Sequence, residues 1–181
     1  MNNEASHPFE LLLEIDRHNR ERVLQTASGA VQSATGTGQL AVRVWAWNLI
    51  FSMDDIAEII PVPRITRVPG VKSWLLGIAN LRGMVMTVVD LQEFLGCKPA
   101  SLLPNSRLLV VRSGEWNCGL LVDEIIGMRH FSLETQHAIL ATIAFNLRPY
   151  ITGAFESEKK QWLVFNVSRL LNDPRFLQAA V

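Results

Sequence analysis

The chain has 181 residues, 49% of them hydrophobic, which is enough to bury a sizeable core in one domain or two small ones. Lysine plus arginine number 17 and aspartate plus glutamate also 17, so the formal net charge is zero. Proteins that live on phosphate backbones or anionic lipid carry a basic excess, so this balance speaks against nucleic-acid and membrane-surface binding.

The N-terminus, MNNEASHPFE, lacks the basic and apolar pattern of a signal sequence. No apolar run approaches the roughly eighteen residues of a membrane span. Cys97 and Cys118 form no C-x-x-C pair and have no nearby histidine, which fits a reducing compartment and no metal site. The expectation is a cytoplasmic chain without direct membrane insertion. Residues 1–25 read as a helical extension: Ser6 can cap it, Pro8 suits its first turn, and Phe9, Leu12 and Leu13 give an apolar stripe in its first half. That stripe could dock on the protein's own body or on a partner. Residues 26–39, TASGAVQSATGTGQ, are rich in Gly, Ser, Thr and Ala without charge, the composition of a flexible linker.

From Leu40 the pattern becomes β. Leu40–Val44 alternates, Trp45–Asn48 can turn, and Leu49–Met53 returns. Asp54-Asp55 makes a polar corner before the strand Ile56–Ile60, which Pro61 and Pro63 end because proline donates nothing to a ladder. Arg64–Val68 is a short edge segment, and Pro69-Gly70 is a turn. Gly77–Leu95, GIANLRGMVMTVVDLQEFL, is the most informative stretch. Two apolar segments flank a turn at Asn80–Gly83, the strand Met84–Val89 follows, Asp90 caps a helical turn over Leu91–Leu95, and Gly96 closes it.

Lys98–Ser106, with two prolines, reads as the link between two subdomains. Arg107–Arg112 and Trp116–Val122 form a hairpin, Ile125–Phe131 another strand, and Leu133–Leu147 a partly helical segment that Pro149 ends. The opening unit then recurs. Gly77 to Asp90 is 13 positions and Gly153 to Asn166 is also 13, with Val167–Leu171 in the place of Leu91–Leu95. Glu58-Ile59-Ile60 precedes the first copy and Glu124-Ile125-Ile126 the second. Such a repeat indicates two similar β subdomains, although any two hairpins that end in short helices share some likeness. Asp173-Pro174 caps a last helix, Pro174–Ala180. Short strands at about ten-residue spacing indicate barrels or sandwiches.

Catalytic signals are poor. Phosphate-loop, dinucleotide, nucleophile-elbow and H-E-x-x-H patterns are absent from the sequence. His130 and His137 lack carboxylate or thiol company, and the carboxylate pairs Asp54-Asp55 and Asp123-Glu124 suit solvated turns better than acid/base work. Arg82 stands out. At a tight turn between apolar strands it can latch the structure, with Asp90 one candidate partner, or it can meet a partner protein. Trp45, Trp47 and Trp74, together with the isoleucines of neighbouring strands, exceed what a small core needs and suggest an interaction surface.

The block Gly77-Ile-Ala-Asn-Leu-Arg-Gly83 with Val88-Val-Asp-Leu91 resembles the signature of CheW-like domains, the coupling modules of bacterial chemosensory arrays. Supports are Ile56-Ala-Glu58-Ile59, Gly119-Leu-Leu-Val-Asp123, Thr152-Gly153 and Asn166–Leu171, so the resemblance covers about Leu40–Leu171. The extension PFELLLEIDR followed by a linker looks like the PilI-type branch of type IV pilus systems. The resemblance implies a mainly β fold of two five-stranded SH3-like barrels packed together, over residues 40–173, with an N-terminal helix and short C-terminal helices. About 49–96 would form the first barrel core, about 40–48 and 107–173 the second barrel and shared strands, and 174–181 a C-terminal helix. It implies no enzyme, no cofactor and no metal. The implied role is an adaptor in twitching-motility signalling, recruited to membrane receptor arrays. Its partners would be a CheA-like histidine kinase regulatory domain and the cytoplasmic tip of a methyl-accepting receptor. A sequestering protein that occupies one partner without bridging is the alternative. Carried over by motif position, the receptor groove would include Ile56, Glu58, Gly77, Arg82, Leu108, Ile125 and Met128. The kinase face would draw on Ile65, Val68, Val71 and Trp74, with Asn80, Gly83 and Asp90 as structural turn residues. Two departures stand out: Thr87 where the family commonly has proline, and Trp45-Ala-Trp47-Asn48 at a hairpin tip that usually carries glycine.

Overall fold

Apolar side chains that alternate between two buried faces decide the architecture. The computed structural model describes residues 38–113, 116–129, 136–137, 143–157 and 159–180, and the expected N-terminal helix and most of the linker lie outside them. Leu40, Val42 and Val44 enter the largest apolar cluster while Ala41 enters a smaller one on the other face. Leu109 and Val111 enter the same large cluster while Leu108 and Val110 enter a third. Strands buried on both faces read as continuous apolar runs, which explains RLLVV. In MVMTVV only Met86, Val88 and Val89 are buried, and Met84 and Val85 beside the hairpin turn are exposed.

The strands are β1 (Gln39–Val44), β2 (Trp47–Ser52), β3 (Ile56–Pro61), β4 (Leu75–Leu81), β5 (Met84–Asp90), β6 (Arg107–Ser113), β7 (Trp116–Val122), β8 (Glu124–Arg129), β9 (Gln136–His137), β10 (Ile151–Ser157) and β11 (Lys160–Phe165). One sheet runs β8-β1-β2-β11-β10-β9, and the other β3-β6-β7-β5-β4. Apart from the two-residue β9, the sheets correspond position by position: β3 to β8, β6 to β1, β7 to β2, β5 to β11, β4 to β10. Each has one parallel pair, β5 with β7 and β11 with β2. Each hairpin has a register shift at the matching place, Leu75/Gly77 and Ile151/Gly153. The 13-residue repeat is thus the repeat of the fold, and the two sheets form the expected pair of five-stranded barrels. The largest cluster draws on both sheets and joins the barrels through Leu49, Phe51, Val89, Leu109, Leu120 and Phe165.

Several expectations are corrected. β2 was placed with the first barrel and β6 and β7 with the second, but β3 to β7 make one sheet and β2 pairs with β1 and β11. The five-stranded barrel is a contiguous segment inserted between β2 and β8. Lys98–Ser106 therefore connects two strands of one barrel, and the crossings between sheets are the short turns at Met53–Asp55 and Asp123. Hairpin pairing is local and readable, whereas the parallel pairs join strands distant in sequence. Within the expected helix over Leu133–Leu147, Gln136–His137 pair with β10 as a strand and residues 143–147 are not helical.

The short helices follow their caps. Asp90 starts α1 (Leu91–Phe94), Asn166 starts α2 (Val167–Leu171), and Asp173 starts α3 (Pro174–Leu177), each accepting a hydrogen bond from a first-turn N–H. The last helix is shorter than expected. The carbonyl of Ala179 instead accepts from the N–H of Lys72, and Ala180 bridges Val71.

Candidate functional site

The β4–β5 hairpin turns on two residues in the left-handed region, Arg82 at φ 53° and Gly83 at φ 89°. Such a pair makes the tight turn that matches strand twist. The Asn80 Oδ1 accepts from the Gly83 N–H at 2.8 Å and fixes it. The turn expected at Asn80–Gly83 is present, and of its two positive-φ positions one falls to Arg82, a residue type that rarely adopts that conformation. Its guanidinium donates to Glu58 Oε1 at 2.7 Å. Glu58 sits on β3 and Arg82 beside β4, the two end strands of the five-stranded sheet, so this ion pair ties the sheet's ends together. The Arg82 side chain remains 76% exposed, so the latch leaves it open to a partner.

Asp90 is not the partner of Arg82. It lies at the far end of β5, buried, with Oδ1 accepting from the Glu93 N–H at 3.0 Å and Oδ2 from the Ala100 N–H at 2.7 Å. Burial raises its pKa, and the backbone donors work against that rise.

The expected groove residues divide into two groups. Ile56, Glu58, Ile125 and Met128 sit on β3 and β8, which occupy equivalent end positions in the two sheets. Met128 is half exposed and faces Gly38, where an added Cβ would meet the Met128 Cε at 2.7 Å. Ile125 packs partly against the shared core. Ile56 lines an open cleft of 370 Å³ with Asp54, Asp55, Arg112, Ser168 and Leu171. Burial and the neighbouring Asp54 raise the pKa of Asp55 there. Gly77 and Leu108, by contrast, are buried and cannot meet a partner directly. Leu108 belongs to the first barrel's own core. Gly77, at φ 142°, admits a close approach, but by this chain's own segment: an added Cβ would lie 2.1 Å from the Thr66 carbonyl oxygen. Thr66 and Ile78 exchange backbone hydrogen bonds of 2.8 and 2.9 Å at that place.

The expected kinase face also divides. Val68 and Val71, both half-buried, line a cavity of 430 Å³. Ile65 packs against the first-barrel core. Trp74 stacks on Phe176 at 5.7 Å and meets the edge of Phe94 at 5.2 Å, so most of its ring serves packing. The Trp74 carbonyl accepts from the Asp90 N–H at 2.8 Å, as the Tyr150 carbonyl does from Asn166 at 2.8 Å. Trp74 and Tyr150 are thus equivalent positions of the repeat.

Sequence reasoning missed two constellations. Tyr150 donates to Asp173 and accepts from Arg175, whose Nη2 also reaches Asp173 at 3.1 Å. The Arg175 guanidinium holds the Asp173 carboxyl down at about 2, while burial and the Asp173 acceptor push the Tyr150 hydroxyl up to about 12. The Asp173-Pro174 cap was legible, but its aromatic partner lies 23 residues upstream. At the first hairpin tip Trp45, at φ 53°, donates its N–H to Asp123 at 2.6 Å, and its ring meets Trp47 edge-on at 5.2 Å. The tip that lacks glycine thus places a tryptophan in the left-handed region and ties it to the β7–β8 corner.

The arrangement offers surfaces and little reactivity. Burial pushes the Cys118 thiol up to about 12 and also raises that of Cys97. Among the described residues no group of three or more His, Cys, Asp or Glu could hold a metal ion, and no helix is long and apolar enough to cross a membrane.

Residues 39–175 match the CheW-like domain family. The chain is 38% identical over 176 residues to Protein PilI of Pseudomonas aeruginosa, covering 96% of this chain and 97% of that protein. It is 29% identical over 90 residues to chemotaxis protein CheW of Bacillus subtilis, covering 50% of this chain and 58% of that one. Among solved structures, the scaffolding protein TtCheW of Thermoanaerobacter tengcongensis superposes with a TM-score of 0.63 at 19% identity, covering 73% of this chain and 90% of that one.

Proposed function

The chain belongs to the CheW-like domain family, a family of non-enzymatic scaffold and adaptor proteins, and from that premise we propose that it couples a methyl-accepting chemotaxis-type receptor to a histidine kinase. The system it serves, in this reading, controls type IV pilus twitching motility. The observation that carries the pilus branch is the near end-to-end relation to Protein PilI, which runs beyond the β domain into the N-terminal extension. In this reading the receptor tip, a helical hairpin, lies along β3 and β8. Ile56, Ile125 and Met128 supply non-directional burial, and Glu58 and Arg82 supply polar registration at the rim. Gly77 and Leu108 act from beneath by shaping the first barrel. The kinase regulatory domain meets the segment around Val68 and Val71.

The test is titration of the full chain with a receptor-tip hairpin and, separately, with a kinase regulatory domain, followed by heat and tryptophan fluorescence. Binding to both with formation of a ternary complex is the expected result. Binding to one partner alone would replace bridging with sequestration.

A further inference from the structure

The cavity beside Val68 and Val71 has a chemistry of its own. Its apolar wall includes Val68, Val71, Leu76 and Pro99, and two cations, Arg67 and Lys72, border it. Among the described residues neither cation has an ion pair or a side-chain hydrogen bond. A single acid, Glu93, belongs to the lining, so the charge balance there is positive in a chain whose net charge is zero.

The cavity's frame is fixed before anything binds. Thr66 is bridged to Ile78, the Lys72 N–H is held by the Ala179 carbonyl at 2.8 Å, the Leu75 N–H by the Lys72 carbonyl at 3.0 Å, and the Trp74 carbonyl by Asp90. A segment so tied on both sides of Val68 and Val71 costs little ordering entropy on binding. An apolar concavity rimmed by unpaired cations suits an apolar anchor with carboxylates beside it.

We propose that this cavity receives an apolar side chain of the kinase regulatory domain flanked by carboxylates, which meet Arg67 and Lys72. The proposal rests on the kinase-binding reading above and adds the partner's chemistry to it. The fixed frame supplies shape, and the two cations supply orientation and a salt-sensitive association rate.

The experiment measures binding of the full chain to the kinase regulatory domain and to a receptor-tip hairpin, at low and high salt. It compares the natural protein, Arg67→Glu with Lys72→Glu, and Val68→Ser. The charge reversal is expected to weaken kinase-domain binding about tenfold or more, chiefly in the association rate, and to remove most of its salt dependence. Val68→Ser is expected to weaken it by about tenfold through the dissociation rate. Receptor-tip binding and thermal unfolding stay unchanged in both. Kinase binding that is equal in all three proteins overturns the proposal and leaves the adaptor reading intact. No kinase binding by the natural protein overturns both. Loss of both partners together, or a change in self-association by sedimentation in place of kinase binding, also overturns it.

Discussion

The two copies of the hairpin-and-helix unit share a backbone plan and differ in what surrounds it. Asp90 and Asn166 both cap a short helix, and both N–H groups bond to an aromatic residue's carbonyl just before the first strand. Asp90, however, is buried and also accepts from Ala100, whereas Asn166 is half-buried and its side chain accepts from Arg169. The first copy thus uses its cap to fix the loop after α1 as well as the helix. The aromatic residues diverge likewise. Trp74 stacks on Phe176 of α3, while Tyr150 packs near Phe94 and Phe165 and hydrogen-bonds with Asp173 and Arg175 at the start of α3. The same plan therefore packs a ring against α3 in one copy and hydrogen-bonds the start of α3 in the other.

The largest expected break in this comparison is at Gly77. Gly77→Ala puts a Cβ 2.1 Å from the Thr66 carbonyl oxygen at φ 142°. Something must move, so the change is expected to cost about 3 kcal/mol or more in urea unfolding. Gly77→Asp adds a buried charge and should prevent folding of the first barrel, so its loss of receptor coupling would report structure and not contact.

The caps give a smaller, graded test. Asp90→Ala removes two hydrogen bonds from a buried site and is expected to cost about 2–3 kcal/mol, against about 1 kcal/mol for Asn166→Ala. Equal losses in denaturant midpoints would show that burial adds nothing to the first cap.

The C-terminal anchor should be visible as acid sensitivity. Asp173 has its pKa lowered from 3.8 to about 2 in the folded chain. Its stabilisation is therefore present above about pH 4 and is lost as pH falls from there toward 2. Asp173→Asn should flatten the stability profile across that window. Buried Asp90, whose pKa is raised, acts in the opposite sense, so the variant is compared with the natural protein and not with a flat baseline.

The smallest effect on stability is expected at the latch. The Arg82–Glu58 pair is largely exposed on the arginine side and is worth under about 1 kcal/mol to folding in a double-mutant cycle. Arg82→His should nonetheless weaken receptor-tip binding about tenfold or more if the rim registers the helix. Unchanged receptor binding by a folded variant would remove Arg82 from the groove.

The sequence by itself determined the local devices. Asn80 to Gly83 made a turn, and Asp90, Asn166 and Asp173 made caps, because each acts within three residues of itself. The 13-residue repeat exposed the two-barrel plan for the same reason, since each copy is a hairpin followed by a cap. Tertiary structure alone decided which barrel owns β2, β6 and β7, because the parallel pairs β5–β7 and β2–β11 are chosen by packing across long separations. It also gave Arg82 its partner 24 residues upstream on β3, where the sequence offered Asp90, at the far end of the next strand, as one candidate. Likewise it turned Gly77, Leu108 and much of Trp74 from contact surface into support. An apolar or small residue in a strand has two faces to choose from, and only the assembled sheets say which of them meets water.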